Sequence, residues 1–390
     1  MPVTMSGSLG SYPMSRDASG TSWQPDATSH EMGHVMRGDW MLAGHTMLNG
    51  VYDWQEDPRG DDLAFVSGML MGSARRDAAN GDALTLRAML SPDPLMGPRG
   101  YPLLLAAGET ADGETTLVDR QHPHDLFMEL SATYTHVLGE TQSAFLYAGL
   151  PGEPAFGPPA FMHRPAAMTS PEAPITHHWL DSTHITCGVI TAGWVQGDWK
   201  FEASQFTGRE PDEDRYDIER PRFDSTALRV SWNPGENWSL QASWAEVESP
   251  EQLEPEVDEE RLSASALYGR ALDGGRSWSA TLAWGHKNPS DGESTDAVAV
   301  EAAWVPLADW QFFARAEWVE THELGVDDDA VNAVAKLAVG ARREFPLGRR
   351  IRLGVGALYA FNEVNRALAP SYGGSNPDGA MVFLQFLAGS

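Results

Sequence analysis

The stretch that decides the fold reads Trp238-Ser239-Leu240-Gln241-Ala242-Ser243-Trp244. Trp238, Leu240, Ala242 and Trp244 share one face; Ser239, Gln241 and Ser243 share the other. A period of two is the mark of a β-strand with unlike faces. The pattern continues on both sides. Leu262, Ala264, Ala266 and Tyr268 alternate with Ser263 and Ser265, and Trp278, Ala280, Leu282 and Trp284 with Ser277, Ser279 and Thr281. Trp310, Phe312, Ala314, Ala316 and Trp318 stand against Gln311, Arg315 and Glu317. Two architectures accept this ladder. One is a soluble sandwich with one wet face; the other is an all-β, closed antiparallel transmembrane β-barrel, apolar outside and polar in its lumen.

The connections choose between them. Sixteen strand candidates lie near 40–54, 63–75, 82–90, 126–138, 142–149, 184–194, 198–207, 224–233, 237–247, 261–271, 276–286, 295–305, 309–320, 331–344, 349–361 and 380–387. Every second connection is long: 55–62, 91–125, 150–183, 208–223, 248–260, 287–294, 321–330 and 362–379. The others are tight, such as Gln196-Gly197, Pro234-Gly235-Glu236 and Pro346-Leu347-Gly348. Outer-membrane barrels have short periplasmic turns and long extracellular loops; a sandwich has no reason to keep that rhythm. Trp310 and Trp318, eight residues apart on one face, are separated by about 26 Å along a strand and roughly 19 Å in height once tilted. That is the spacing of two aromatic girdles, where amphipathic rings meet the headgroups. The reading therefore expects a barrel of about sixteen strands over 39–390, in the bacterial outer membrane and surrounded by its lipids, with both termini in the periplasm.

Bulk properties agree. The 390 residues carry 27 Lys and Arg against 55 Asp and Glu, a net charge of −28. Such an excess disfavours nucleic acid and favours cationic partners. Cys187 is the lone cysteine, so no intrachain disulfide and no thiolate zinc cluster can form. No run of eighteen apolar residues exists, which leaves a β-barrel open. Met1 is followed by Pro-Val-Thr-Met-Ser rather than a basic head and apolar run, and a mature or truncated form is expected.

Residues 1–38 sustain no period and are expected to be a flexible periplasmic tail. Their Met and His belong to a wider bias: fourteen of fifteen Met and ten of twelve His precede residue 185. Thioethers suit Cu(I), and imidazole suits Cu(II), Zn and Ni. His30, Met32, His34 and Met36 have the spacing to gather round one ion. A second candidate group lies in the loops 91–125 and 150–183: His122, His124, Met162, His163, His177, His178 and, at the strand start, His184. The alternative for each single His is a hydrogen bond that pins a loop. For strand residues such as Met69, Met71, Met89 and Met128 it is gap-filling. His-x-Ser, Gly-x-Ser-x-Gly and His-Glu-x-x-His do not occur, so no enzyme is expected, with a loop-borne hydrolase as the remaining alternative.

Four segments, Gly10–Asp26, Asp119–Glu129, Ala148–Pro154 and His177–His184, resemble an uncharacterised family of proteobacterial outer-membrane β-barrel proteins associated with copper-resistance gene clusters. In outline the chain is also similar to copper-resistance outer-membrane proteins with Met-rich tails. The resemblance implies an outer-membrane location and a link to copper ions and periplasmic copper proteins. It implies no mechanism. The expected function is a channel or binding protein that handles copper, its acidic lumen attracting the cation; the alternative is a general porin.

Overall fold

The computed structural model describes residues 6–28, 33–325 and 330–389. Sixteen antiparallel strands close into a barrel: Trp40–Gln55, Asp62–Asp77, Ala83–Leu90, Phe127–Gly139, Gln142–Gly149, Val189–Gln196, Trp199–Phe206, Ser225–Trp232, Trp238–Val247, Glu259–Leu272, Arg276–Pro289, Thr295–Leu307, Trp310–Thr321, Asn332–Pro346, Ile351–Val364 and Asp378–Ala388. Closure is made by the last strand on the first, from Gly379 opposite Gln55 to Ala388 opposite Thr46. A barrel has no free edge, so every ladder group can be paired inside the membrane. All sixteen expected strands form. The sixth begins five residues late, at Val189 rather than His184, because 184–188 belong to the lumen filling.

The alternating face points as the barrel reading requires. Leu228, Leu282, Val300, Leu337 and Leu384 are exposed, forming the lipid-facing band. Trp54, Trp284 and Trp318 ring it near the long loops, and Trp194, Trp199, Trp232, Trp238, Trp278 and Trp304 near the short turns. Stacking tightens the lower ring: Trp199 and Trp232 lie 5.0 Å apart and nearly parallel.

The inner face is not simply acidic. Arg229 pairs with Glu202 at 2.9 Å, Lys287 with Glu259 at 3.0 Å, Arg315 with Glu317 at 2.9 Å and Lys336 with the loop carboxylate of Glu172 at 2.6 Å. The acidic lumen expected from composition is a lattice of buried, paired charges. Unpaired like charges facing one another across a narrow lumen would be too costly.

The lumen is filled from both ends. From the long-loop end, residues 150–188 descend and anchor on the wall. Arg164, wholly buried, meets Glu301 at 2.7 Å and Asp181 at 2.6 Å. The loop 91–126 carries a hairpin, Tyr101–Thr110 with Thr116–Gln121, whose apolar Leu103, Leu104 and Leu105 are buried.

From the short-turn end comes the N-terminal segment. Residues 6–28 are not the flexible tail expected. Tyr12 and Trp23 pack edge-on at 5.1 Å, in a buried cluster with Phe145 and Val195 of the wall. Arg16 bonds Asp26 at 2.6 Å, and the Tyr12 hydroxyl donates to Asp17 at 2.8 Å. Main-chain carbonyls take up the wall's donors: Ser143 Oγ–H donates to Leu9 O, Thr135 Oγ1–H to Ser8 O at 2.8 Å, and Lys200 to Thr21 O. An aperiodic Gly/Ser/Pro segment lacks a face of its own, yet a ring of wall donors can order it through its backbone. Gly33–Arg37 then pairs with residues 40–44 of the first strand, just below the end of the last strand.

Candidate metal centre

Two loops bring five histidines together in the long-loop half of the lumen. His122 and His124 follow the hairpin, held extended around Pro123. The hairpin is tied down by Asp119, which accepts from the Leu105 amide at 2.8 Å and from the Tyr372 hydroxyl at 2.8 Å. His177 and His178 sit on the short helix His177–Leu180, and His184 ends the turn Ser182–His184. That helix is seated by the Trp179 indole N–H, which donates to Thr295 Oγ1 at 2.9 Å. It lies so close to the wall that a Cβ on Gly285 would stand 2.4 Å from Trp179 O.

The rings form a circuit. Centroids are separated by 5.1 Å for His124–His184, 5.2 Å for His184–His177, 6.1 Å for His177–His122 and 6.2 Å for His122–His124. His178 flanks it, 5.5 Å from His177 and 5.7 Å from His122. Phe161 closes one side, 5.6 Å from His177.

Each ring of the circuit uses Nδ1 to hold an oxygen. His124 Nδ1 lies 2.8 Å from Asp93 Oδ2, His177 Nδ1 2.8 Å from Asp181 Oδ1, His184 Nδ1 2.7 Å from the Asp181 carbonyl and His122 Nδ1, beside Glu109, 3.4 Å from the Pro123 carbonyl. A carbonyl or carboxylate accepts only, so Nδ1 carries the proton and the lone pair is left on Nε2. The Nε2 atoms of His122, His124 and His184 are buried with no hydrogen-bond partner. Burial holds His122 and His184 neutral, their pKa values well below the ordinary imidazole value; Arg215 adds to this at His122 and His124 at His184. An oxygen on Nδ1 with a bare Nε2 is how metal-ligating histidines are oriented.

Asp181 organises the circuit. One carboxylate oxygen takes Arg164, the other takes His177, and its carbonyl takes His184. Burial opposes its charge, but Arg164 and His177 hold the carboxyl below the usual carboxylate range. Asp181, Asp93, Glu109 and Glu301 were not candidates from sequence. Asp181 alone left a trace there: it follows His177 by four residues, one helical turn.

A tighter trio lies beside the circuit. His178 Nδ1 is 3.8 Å from Glu210 Oε2 and 4.0 Å from Glu251 Oε1. Among the described residues, this is the one set of three or more His, Cys, Asp or Glu whose ligand atoms all fall within 4.8 Å of one another. The four circuit imidazoles are more open, so an ion held between them would draw the rings inward. Burial pushes His178 down to about 4, against the pull of Glu210.

The other candidates lie elsewhere. Met162 is buried in the apolar core cluster with Phe161. His163 faces the opposite half of the lumen, lining a cavity of about 520 Å³. His34 and Met36 project from the exposed strand Gly33–Arg37 at the short-turn end, Met36 being 60 % exposed. That group is therefore separate from the loop histidines. His30 and Met32 lie outside the described residues.

No protein-family model matches the sequence, and no curated protein sequence matches it. Solved structures match nearly end to end in shape. OmpF of Salmonella typhi, solved with daunomycin, superposes with a TM-score of 0.58 at 11 % identity over 91 % of this chain and 99 % of that one. OmpT of Vibrio cholerae gives 0.51 at 7 % identity, covering 91 % and 99 %. The anion-selective porin from Comamonas acidovorans gives 0.50 at 13 %, covering 89 % and 99 %. The chain is thus a porin-like β-barrel of the bacterial outer membrane.

Proposed function

We propose that this barrel binds and handles a transition-metal ion, copper above all, at the imidazole circuit formed by His122, His124, His177 and His184. One observation supports the reading most: each ring is fixed through Nδ1 by a carboxylate or carbonyl, while three of the Nε2 atoms are buried without a partner. A bare buried nitrogen is costly, and metal coordination is the interaction that fits it. Imidazole suits Cu(II), Zn and Ni; copper has the highest affinity of the divalent series. We assign the chain no reaction. A channel is the coarser reading that the fold itself supports, and a general porin is the alternative.

The test is Cu(II) affinity by competition against a chelator, with electron paramagnetic resonance reading nitrogen ligation, on the full barrel folded in detergent. The parent is expected to bind with several nitrogens in the equatorial plane. His122→Ala/His184→Ala is expected to lose most of that affinity. Equal binding by parent and double variant would refute the assignment. A conductance that follows solute size and ignores copper would favour the porin.

A further inference from the structure

The cavity in the short-turn half of the lumen is lined unlike any other part of the wall. The first strand points Met41, Ala43, His45 and Met47 inward, and the second points Met69, Met71, Ser73 and Arg75 inward. Cross-strand register sets His45 directly opposite Met71 and Met47 directly opposite Met69. On the third strand Met89 sits opposite Met71. Directly opposed residues have Cβ atoms about 4.5–5.5 Å apart, so four thioethers and an imidazole share one patch. The loop lowers His163 and Met168 over it, and the N-terminal segment adds Met14.

Gap-filling accounts poorly for this set. A methionine that fills a gap closes it, whereas Met47, Met69 and Met71 border about 520 Å³ of open space, with Met89 buried next to Met71. Leu and Ala serve the inner face of the later strands, as at Leu267, Ala283 and Ala299, all buried. The chamber's polar nitrogen is also unusual: His163 Nε2 is buried with no hydrogen-bond partner. Burial, helped by His45 and Arg87, pushes the His163 imidazole down to about 3, leaving it neutral. The neighbouring cations are already committed. Arg87 faces Glu129 at 3.3 Å, and Arg75 holds Asp77 at 2.8 Å while donating to the Gly7 carbonyl at 2.8 Å.

We infer that this chamber is a second, soft-cation site: the thioethers of Met47, Met69 and Met71, with the His163 imidazole, bind a monovalent d¹⁰ ion such as Cu(I) or Ag(I). Thioether sulfur is a weak ligand for hard or divalent ions and a good one for these. The site extends the metal-handling reading above but stands on different residues, some in the opposite half of the lumen, and takes a different oxidation state. It faces the periplasmic turns at Gly275 and Asp309.

The experiment uses Ag(I) in chloride-free buffer with the full barrel in detergent, its methionine methyls ¹³C-labelled. A subset of methyl resonances is expected to shift on titration, and X-ray absorption at the silver edge is expected to show sulfur in the first shell. Met47→Leu/Met69→Leu/Met71→Leu, chosen for similar volume, is expected to bind Ag(I) at least tenfold more weakly while keeping Cu(II) binding. Unchanged Ag(I) affinity in the triple variant overturns the site. Should that variant fail to fold, a parent silver shell of nitrogen and oxygen only overturns it equally. His122→Ala/His184→Ala separates the two readings. If it keeps the silver–sulfur shell while the parent itself shows no Cu(II) nitrogen ligation, the imidazole circuit is wrong and the chamber stands.

Discussion

Two of the segments that fill the barrel are held in opposite ways. The loop 150–188 carries its own charges into the wall. Arg164 reaches Glu301, and Glu172 receives Arg315 at 2.8 Å and Lys336 at 2.6 Å. The N-terminal segment 6–28 mostly pairs its charges with one another and offers the wall its backbone. Ser8, Leu9, Ala18 and Thr21 present carbonyls to Thr135, Ser143, Arg87 and Lys200. A buried charge that loses its partner costs about 3–5 kcal/mol, whereas a hydrogen bond to a charged group contributes about 1.5–3 kcal/mol. The loop is therefore locked, and the N-terminal segment is tied by smaller, separable steps. The locked segment carries His177 and His184, half of the imidazole circuit, which needs fixed geometry. The tied segment borders the chamber at the short-turn end.

Breaking the lock has the largest expected effect. Arg164→Ala strands Asp181 and Glu301 in the lumen, and about 3–5 kcal/mol of stability is expected to go. The loop should leave the wall, raising single-channel conductance in planar bilayers. Conductance at the parent level would show that the loop has other sufficient anchors. Lys200→Met tests the other segment. It removes the donor to the Thr21 carbonyl but leaves Glu202 its partner Arg229. A loss of about 1.5–3 kcal/mol is expected, with faster proteolysis within residues 6–28 and no change in copper binding. A loss as large as that of Arg164→Ala would erase the distinction.

Asp181→Asn sharpens the comparison at the circuit itself. The amide keeps the shape but weakens its hold on His177 and Arg164, and Cu(II) affinity is expected to fall about 10–100-fold with the barrel intact by circular dichroism. The smallest effect is a pH slope. His122 and His184 titrate well below the unfolded value of about 6.5, so above that pH neither state binds the extra proton. As pH falls below it, the unfolded chain takes protons that the folded chain refuses, and stability declines by up to about 1.4 kcal/mol per pH unit for each such group. Chemical unfolding at pH 7 and pH 5 measures it. Because the raised carboxyls of Glu109 and Glu153 titrate over the same range with the opposite sign, the profile is compared with that of His122→Ala/His184→Ala, and an identical slope in the two would mean that these rings are solvated.

Much of the wall was legible. Trp238 to Trp244 and its neighbours alternate because one side meets lipid and the other polar filling, and the turn rhythm follows from spanning a bilayer. The first half of the chain was harder. His184 read as the start of a strand, yet its ring is claimed by the Asp181 carbonyl. Met69 and Met71 read as gap-fillers, since one strand does not reveal that its inner face borders a void. Residues 6–28 read as free because their order comes from wall donors as remote in sequence as Lys200 and Arg229.

The local chemistry of the chain alone determined a period-two ribbon, greasy on one side, bent tightly at every second turn, with soft and imidazole ligands crowded into its first half. Which of those ligands share a space was decided only when the barrel closed. Register sets residues 47 and 69 directly opposite each other, and loop descent brings the rings of 124 and 184 to 5.1 Å. Those contacts depend on ion pairs such as Arg164 with Glu301, 137 residues apart in the chain, and no local pattern encodes a partner at that distance.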